Sequence, residues 1–293
     1  MKRATGFTLV ELITVITLSA FLGLVVWRNL SLPIRGFADI TARNKATAAV
    51  RLAMQRMTRE LRLALPNSIR VSSDGTALEM LRLAGGGRYR VEADPSNPAS
   101  DPINLGATTD SFDVLGDWNL PNPVRTSSGV ANCRAGTADC LVIYNTGSPS
   151  TCSAQAAGTR TNAWCGDNLA GIASANSTTG NVTFNRSDGT TPFPTGSSTN
   201  RFFVVDTAVS FVCSGGVLRR YAGYALTATQ PVPPSGTGAV LASDIAACNF
   251  TYQAGSLARS GLVALTLTVN FLNGDQATES VTLFDQLQTP NSP

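Results

Sequence analysis

The sequence Met1-Lys2-Arg3-Ala4-Thr5-Gly6, followed by Phe7-Thr8-Leu9-Val10-Glu11-Leu12 and an apolar run to Val26, decides how the rest of the chain is read. A short basic leader ends in a glycine. The 20 residues from Phe7 to Val26 are apolar apart from Glu11, Gly23 and a few Thr and Ser. As a helix rising about 1.5 Å per residue, such a run spans the hydrocarbon core of a bilayer. A carboxylate inside such a segment is costly, which marks Glu11 as a functional residue. An ordinary secretory signal has a shorter apolar core and then a small-residue cleavage site. Here the run leads into Val26-Trp27-Arg28, where Trp27 suits a membrane–water interface and Arg28 its polar side. A plain membrane anchor leaves Gly6, Phe7 and Glu11 unexplained together.

Working outward, charge divides the chain. From Arg28 to Arg70 there are nine basic residues against Asp39 and Glu60, a net of +7. From Val71 onward 11 basic residues face 16 acidic ones, a net of −5. A basic stalk therefore carries an acidic head. Its partners by charge are anionic headgroups or the acidic surfaces of neighbouring subunits. Nucleic acid is the least favoured partner and none is expected, because the head is acidic and no binding motif is present. Six cysteines in an exported domain imply an oxidising compartment and disulfides. Several connectivities remain open; the preferred set is sequential, Cys133–Cys140, Cys152–Cys165 and Cys213–Cys248. With no Cys-x-x-Cys pair and no histidine, metal binding by these residues is weak, and no cofactor is called for.

Beyond the span, Pro33 and Gly36 interrupt or kink the helix. Ala46, Val50, Ala53, Met57, Leu61 and Ala64 then recur at spacings of three and four, one apolar stripe. Arg51, Gln55, Arg59 and Arg62 fall on another face, and Pro66 ends the pattern. Phe7 to Leu65 reads as one long helix, transmembrane over residues 7–27 and an amphipathic stalk over 28–66. The head, residues 67–293, is strand-like. Ser68–Ser72, Thr76–Leu83 and Arg88–Ala93 read as strands joined by turns at Asp74-Gly75 and Gly85-Gly86-Gly87. Residues 94–104 read as a loop. Asp110, Asp113 and Asp117 form a sparse acidic group that would hold calcium only outside any EF-hand spacing, and surface loop is the simpler reading. Cys140–Asn145 reads as a buried strand, and residues 146–200, rich in Ser, Thr, Gly and Asn, as a long insertion loop. Strands resume at Arg201–Asp206, Ala208–Ser214 and Val217–Tyr221, the last two joined at Gly215-Gly216. A helical turn at Val240–Ala247 leads into a strand at Cys248–Gln253. Leu262–Leu272 and Ala277–Leu287 close the chain as a hairpin about Asn273-Gly274. The class is α+β: a long N-terminal transmembrane and amphipathic helix packed on a mostly antiparallel β-sheet head.

The run Gly6-Phe7-Thr8-Leu9-Val10-Glu11 resembles the class III leader of type IV pilins and type II secretion pseudopilins. Over the rest of the chain, Pro33–Asp39, Met57–Arg62, Ala64–Arg70 and the tail Leu283–Pro293 are most similar to the minor pilin O family of mannose-sensitive haemagglutinin pili. The resemblance implies a type IV pilin-like fold. It implies cleavage after Gly6 by a prepilin peptidase, N-methylation of Phe7, and docking of Glu11 against the N-terminal ammonium of a neighbouring subunit. Its partners would be that peptidase, the major pilin, other minor pilins and the inner-membrane assembly platform. The protein would cross the bacterial inner membrane once, N-terminus cytoplasmic and head periplasmic, before entering a pilus or pseudopilus.

Three classes of function compete. A structural subunit that primes or assembles a pilus of this type accounts for the leader; a J-class pseudopilin of type II secretion is the alternative. A binding module would use the acidic head and residues 146–200 for adhesion, which is compatible with the first. An enzyme is disfavoured: without histidine, Ser-His-Asp, Cys-His and His-metal arrangements are excluded.

Overall fold

The computed structural model describes residues 8–127, 129–186, 193–255, 259–273 and 276–293. It is an α+β protein built on one helix, α1 (Leu9–Leu61), 53 residues long. The helix is one continuous element through Pro33 and Gly36, as the reading of one long helix expected, and is not broken there. Pro33 has no N–H to offer the carbonyl one turn back, a loss confined to that turn. After Leu61 the chain tightens, Leu63 and Ala64 donating to the carbonyls of Glu60 and Leu61 at 2.9 and 3.2 Å. It then lies along strand β2, Leu65 N–H reaching the Leu81 carbonyl at 2.8 Å and Leu83 N–H the Leu63 carbonyl at 2.7 Å.

Among the described residues twelve strands follow. The larger sheet contains β1 (Arg70–Val71), β2 (Ala77–Tyr89), β3 (Thr109–Leu115), β4 (Cys140–Ile143), β5 (Leu169–Asn176), β6 (Asn181–Asn185), β7 (Arg201–Ser214), β8 (Val217–Ala222) and β9 (Ala239–Ala242). A short helix, α2 (Val130–Arg134), precedes β4. The smaller sheet is the antiparallel set β10 (Ile245–Gln253), β11 (Gly261–Leu272) and β12 (Thr278–Thr289). In the larger sheet β2 pairs with both β3 and β7, so the sequence β2-β3-β6-β5-β4-β7 closes on itself as a six-stranded antiparallel ring. Closure removes free edges from those strands. The ring encloses Tyr89, Phe112, Ile143, Ile172, Phe184 and Phe202, with the Phe112 and Phe202 rings edge to face at 5.2 Å.

The other core lies where α1 meets both sheets. Val50, Ala53, Met54, Met57, Leu61 and Ala64 are buried against Val263, Leu265, Leu267 and Val269 of β11 and against Met80, Val209, Phe211 and Leu218 of the larger sheet. Each large side chain buried here contributes about 1.5–3 kcal/mol. The Cys213–Cys248 disulfide ties β7 to β10 and so crosses between the sheets. Cys133–Cys140 joins α2 to β4, and Cys152–Cys165 closes a loop between β4 and β5.

Several local readings are corrected. Gly85-Gly86-Gly87 is no turn but the middle of β2, paired with Val204, Phe203 and Phe202 of β7. A Cβ on Gly85 would lie 2.3 Å from the Asn119 carbonyl oxygen, and the Gly86 N–H donates to that oxygen at 3.0 Å. The glycines let the segment at Asn119 lie directly on the strand. Residues 146–200 are not one loop, since β5 and β6 pair within them and with β4 and β3. Val240–Ala247 holds strand β9 and the start of β10 instead of a helical turn. Asp206 and Ala208 belong to one continuous strand, β7. The Gly215-Gly216 link is a two-residue hairpin, both glycines at positive φ, 58° and 75°. In the last hairpin Leu272 pairs with Thr278, so the connection is longer than Asn273-Gly274; Gly274 lies outside the described residues.

The glycine account predicts that Gly85→Ala costs about 1–3 kcal/mol by overpacking. Gly36→Ala, on α1 with nothing within 4 Å of the new methyl, leaves the head unaffected. Thermal unfolding of the two variants checks this; equal melting temperatures would contradict it.

Candidate functional site

The N-terminal turn of α1 holds the residue that stands out most in the sequence. Thr8 is the N-cap and Glu11 the third helical residue, a reciprocal capping box. The Thr8 backbone N–H donates to Glu11 Oε2 at 3.0 Å and its hydroxyl to the same oxygen at 2.9 Å. The Glu11 N–H donates back to Thr8 Oγ1 at 3.3 Å. The carboxylate also sits where the helix dipole is positive. The Thr-x-x-Glu spacing is a sequence signal for this cap that the reading of Glu11 as a lone carboxylate missed. Gly6 and Phe7 lie outside the described residues.

From Leu9 to Asn29 the helix is 21 residues long with a mean hydropathy of 2.4, and none of it is buried. It is long and apolar enough to cross a membrane. Three of its polar side chains bond within the helix. The Thr14 hydroxyl donates to the Val10 and Glu11 carbonyls at 3.1 and 3.0 Å, and the Asn29 amide to the Val25 carbonyl at 2.8 Å. Thr17 does the same with Ile13 and Thr14. What the helix leaves open is an apolar surface and the Glu11 charge. Among the described residues no cation pairs with Glu11.

At the far end the helix is fixed to the head by a buried polar clamp that sequence reading did not single out. Arg70 Nε donates to Glu79, whose other oxygen accepts from the Tyr224 hydroxyl at 2.7 Å. The Arg70 guanidinium lies 3.8 Å from the centre of the Trp164 ring and donates to the carbonyls of Ala228 and Thr227. Trp164 Nε1 in turn donates to the Ser68 carbonyl at 2.8 Å. Just before the clamp, the Asn145 amide donates to the Pro66 carbonyl at 2.6 Å, and the Asn67 amide to the Asn145 carbonyl at 2.9 Å. Four segments distant in sequence are thereby held at the helix exit. Burial pushes the Glu79 carboxyl above its usual range, although Arg70 and the Tyr224 hydroxyl both pull it down. Burial and the neighbouring Glu79 push the Tyr224 phenol far up. The missed signal was a glutamate inside the apolar run Ala77–Leu81, because a charge there needs a buried partner.

Other sequence features separate rather than converge. Asp113 on β3 pairs with Arg90 at 3.2 Å, Asp110 accepts from the Asn104 N–H at 2.6 Å, and Asp117 is exposed beyond the strand. Among the described residues no group of three or more His, Cys, Asp or Glu is placed to hold a metal ion. All six cysteines are in disulfides. From the loop closed by Cys152–Cys165, Arg160 reaches Asp167, just beyond it, at 2.6 Å. Burial raises the Asp167 carboxyl, but Arg160 and the Gly158 N–H hold it below its usual value overall. No protein-family model, curated protein or solved structure matches this chain.

The clamp carries a pH prediction. Glu79 has a folded pKa above its ordinary value of 4.5. Its contribution to stability is therefore complete below the unfolded pKa and is lost as pH rises through the folded one. Glu79→Gln cannot ionise and lacks that dependence. Urea unfolding between about pH 4 and pH 8 will show wild type losing stability relative to Glu79→Gln as pH rises. A difference that moves the other way would contradict the buried-carboxylate account.

Proposed function

We propose that this chain is a minor pilin, made as a prepilin and taking part in the initiation or assembly of a type IV pilus of the mannose-sensitive haemagglutinin kind. The observation that carries the reading is one continuous helix with two environments. Its first 21 residues bury nothing, while residues 50–64 are built into the head. Such a helix suits a subunit held first by lipid and later by the helices of its neighbours. The leader motif adds the chemistry. A prepilin peptidase cuts between Gly6 and Phe7 and methylates the new amino group of Phe7, glycine fitting a narrow cleavage site. Glu11, exposed and with no cation paired to it among the described residues, then meets the terminal ammonium of an adjacent subunit, which compensates a carboxylate in low dielectric. The head is a pilin-like domain enlarged by the closed strand ring, and adhesion is a role its surface is free to add. Further partners are the major pilin, other minor pilins and the inner-membrane assembly platform.

Two substitutions separate the steps. Gly6→Ala, or a bulkier residue, blocks conversion of precursor to mature protein on immunoblots of membranes. Glu11→Ala is cut normally but enters sheared pili at a reduced level. Normal pilus incorporation of Glu11→Ala would reject docking as the role of that carboxylate.

A further inference from the structure

Strands β2 and β7 set two arginines side by side with no carboxylate between them. Their register pairs Gly85 with Val204, Gly86 with Phe203, Gly87 with Phe202 and Arg88 with Arg201. Tyr89 and Phe202 belong to the core inside the ring, so their neighbours Arg88 and Arg201 project outward. Like charges directly opposite each other on a strand pair oppose the pairing. Arg88 is exposed and Arg201 half-buried, and among the described residues neither forms an ion pair or a side-chain hydrogen bond. Glu92, past the end of β2, and Asp117, past the end of β3, pair with neither of them. The neighbouring arginines differ. Arg82 is matched by Asp206, and Arg90 by Asp113.

Both arginines line an open groove of about 620 Å³. Its walls are apolar, supplied by Leu63, Leu83, Ala84, Leu115 and Phe203, and Gly85-Gly86-Gly87 form its floor. A Cβ on Gly86 would lie 2.7 Å from the Phe202 carbonyl oxygen and 3.4 Å from Phe203 Cδ1, so the floor stays free of side chains. A groove of this size holds a small molecule. Besides Arg88 and Arg201, Asn119 is the one lining residue with a hydrogen-bonding side chain. The hydroxyls of a sugar or the amides of a peptide would lie unmatched against such walls, whereas an apolar body loses nothing there. Bilayer lipid is out of reach, because Leu61 stands about 48 Å along the helix from Asn29 at about 1.5 Å per residue. We propose that this groove binds a small organic carboxylate with an apolar body. The carboxylate bridges Arg88 and Arg201, whose guanidinium groups match it in charge and in planar geometry. The body lies over Gly86 along Leu83, Leu115 and Phe203. This site is separate from the leader and from the start of α1, and does not rest on their roles.

The test is calorimetric titration of the full chain, in micelles of an uncharged detergent, with 4-phenylbutyrate as the probe. Wild type binds it at one site. Arg88→Gln with Arg201→Gln weakens binding at least about tenfold, and the same detergent in both titrations cancels uptake of the probe by the micelle. Arg51→Gln with Arg59→Gln, exposed on α1 away from the groove, leaves binding unchanged. Two further probes need no variant. The neutral 4-phenylbutyramide keeps the body without the charge, and glucuronate keeps the charge on a hydroxylated body; each binds wild type at least about tenfold more weakly than 4-phenylbutyrate. No binding to wild type, equal binding to the Arg88/Arg201 variant, or an amide or glucuronate as tight as the probe would overturn the proposal.

Discussion

A 21-residue helical segment that buries nothing against its own chain must find its apolar surroundings elsewhere, and everything else in the structure accommodates that demand. The same helix continues into the head, where Met57 and Leu61 are fully buried between two sheets. One rigid element thus joins a surface that requires an external partner to a core that requires none. Thr14, Thr17 and Asn29 are already bonded within the helix, and the surface it offers is chiefly apolar with the Glu11 carboxylate at its start.

The head is constructed to hold that element firmly. The exit from α1 is hydrogen-bonded along β2, and β2 also belongs to the closed strand ring, so the helix is anchored to the most constrained part of the head. The Cys213–Cys248 disulfide keeps the smaller sheet against the larger, closing the helix between them. Arg70, Glu79, Tyr224 and Trp164 complete the junction with a buried pair, in which the partners of Glu79 offset only part of its desolvation. A load on the helix is then transmitted to both sheets at once.

Local signals made part of this legible. The spacing of Val50, Ala53, Met57 and Leu61 marks the buried face of α1 because helix periodicity is a short-range property. Gly215-Gly216 marks a tight hairpin for the same reason. The misread stretches depend on distant neighbours. Gly85-Gly86-Gly87 has turn composition, but its role is set by the approach of Asn119, more than 30 residues on. Strand β5 is rich in Ala, Ser, Asn and Gly, and pairing such as Ile172 with Phe184 of β6 outweighs its weak strand propensity. At the N-terminus Glu11 is conspicuous in the sequence, and its cap with Thr8 was legible too, in the Thr-x-x-Glu spacing, but was passed over because Glu11 was read as a lone carboxylate. Glu79, buried among strands, was overlooked because its partners Arg70 and Tyr224 are brought to it by the fold.

Processing and docking through the start of α1 form the central claim, and intact mass spectrometry of the protein extracted from membranes tests it most directly. The account predicts a species that begins at Phe7, has lost Met1–Gly6 and carries one additional methyl group on its N-terminus. A chain that retains its leader, or one cut after Trp27 with the apolar helix removed, would contradict it.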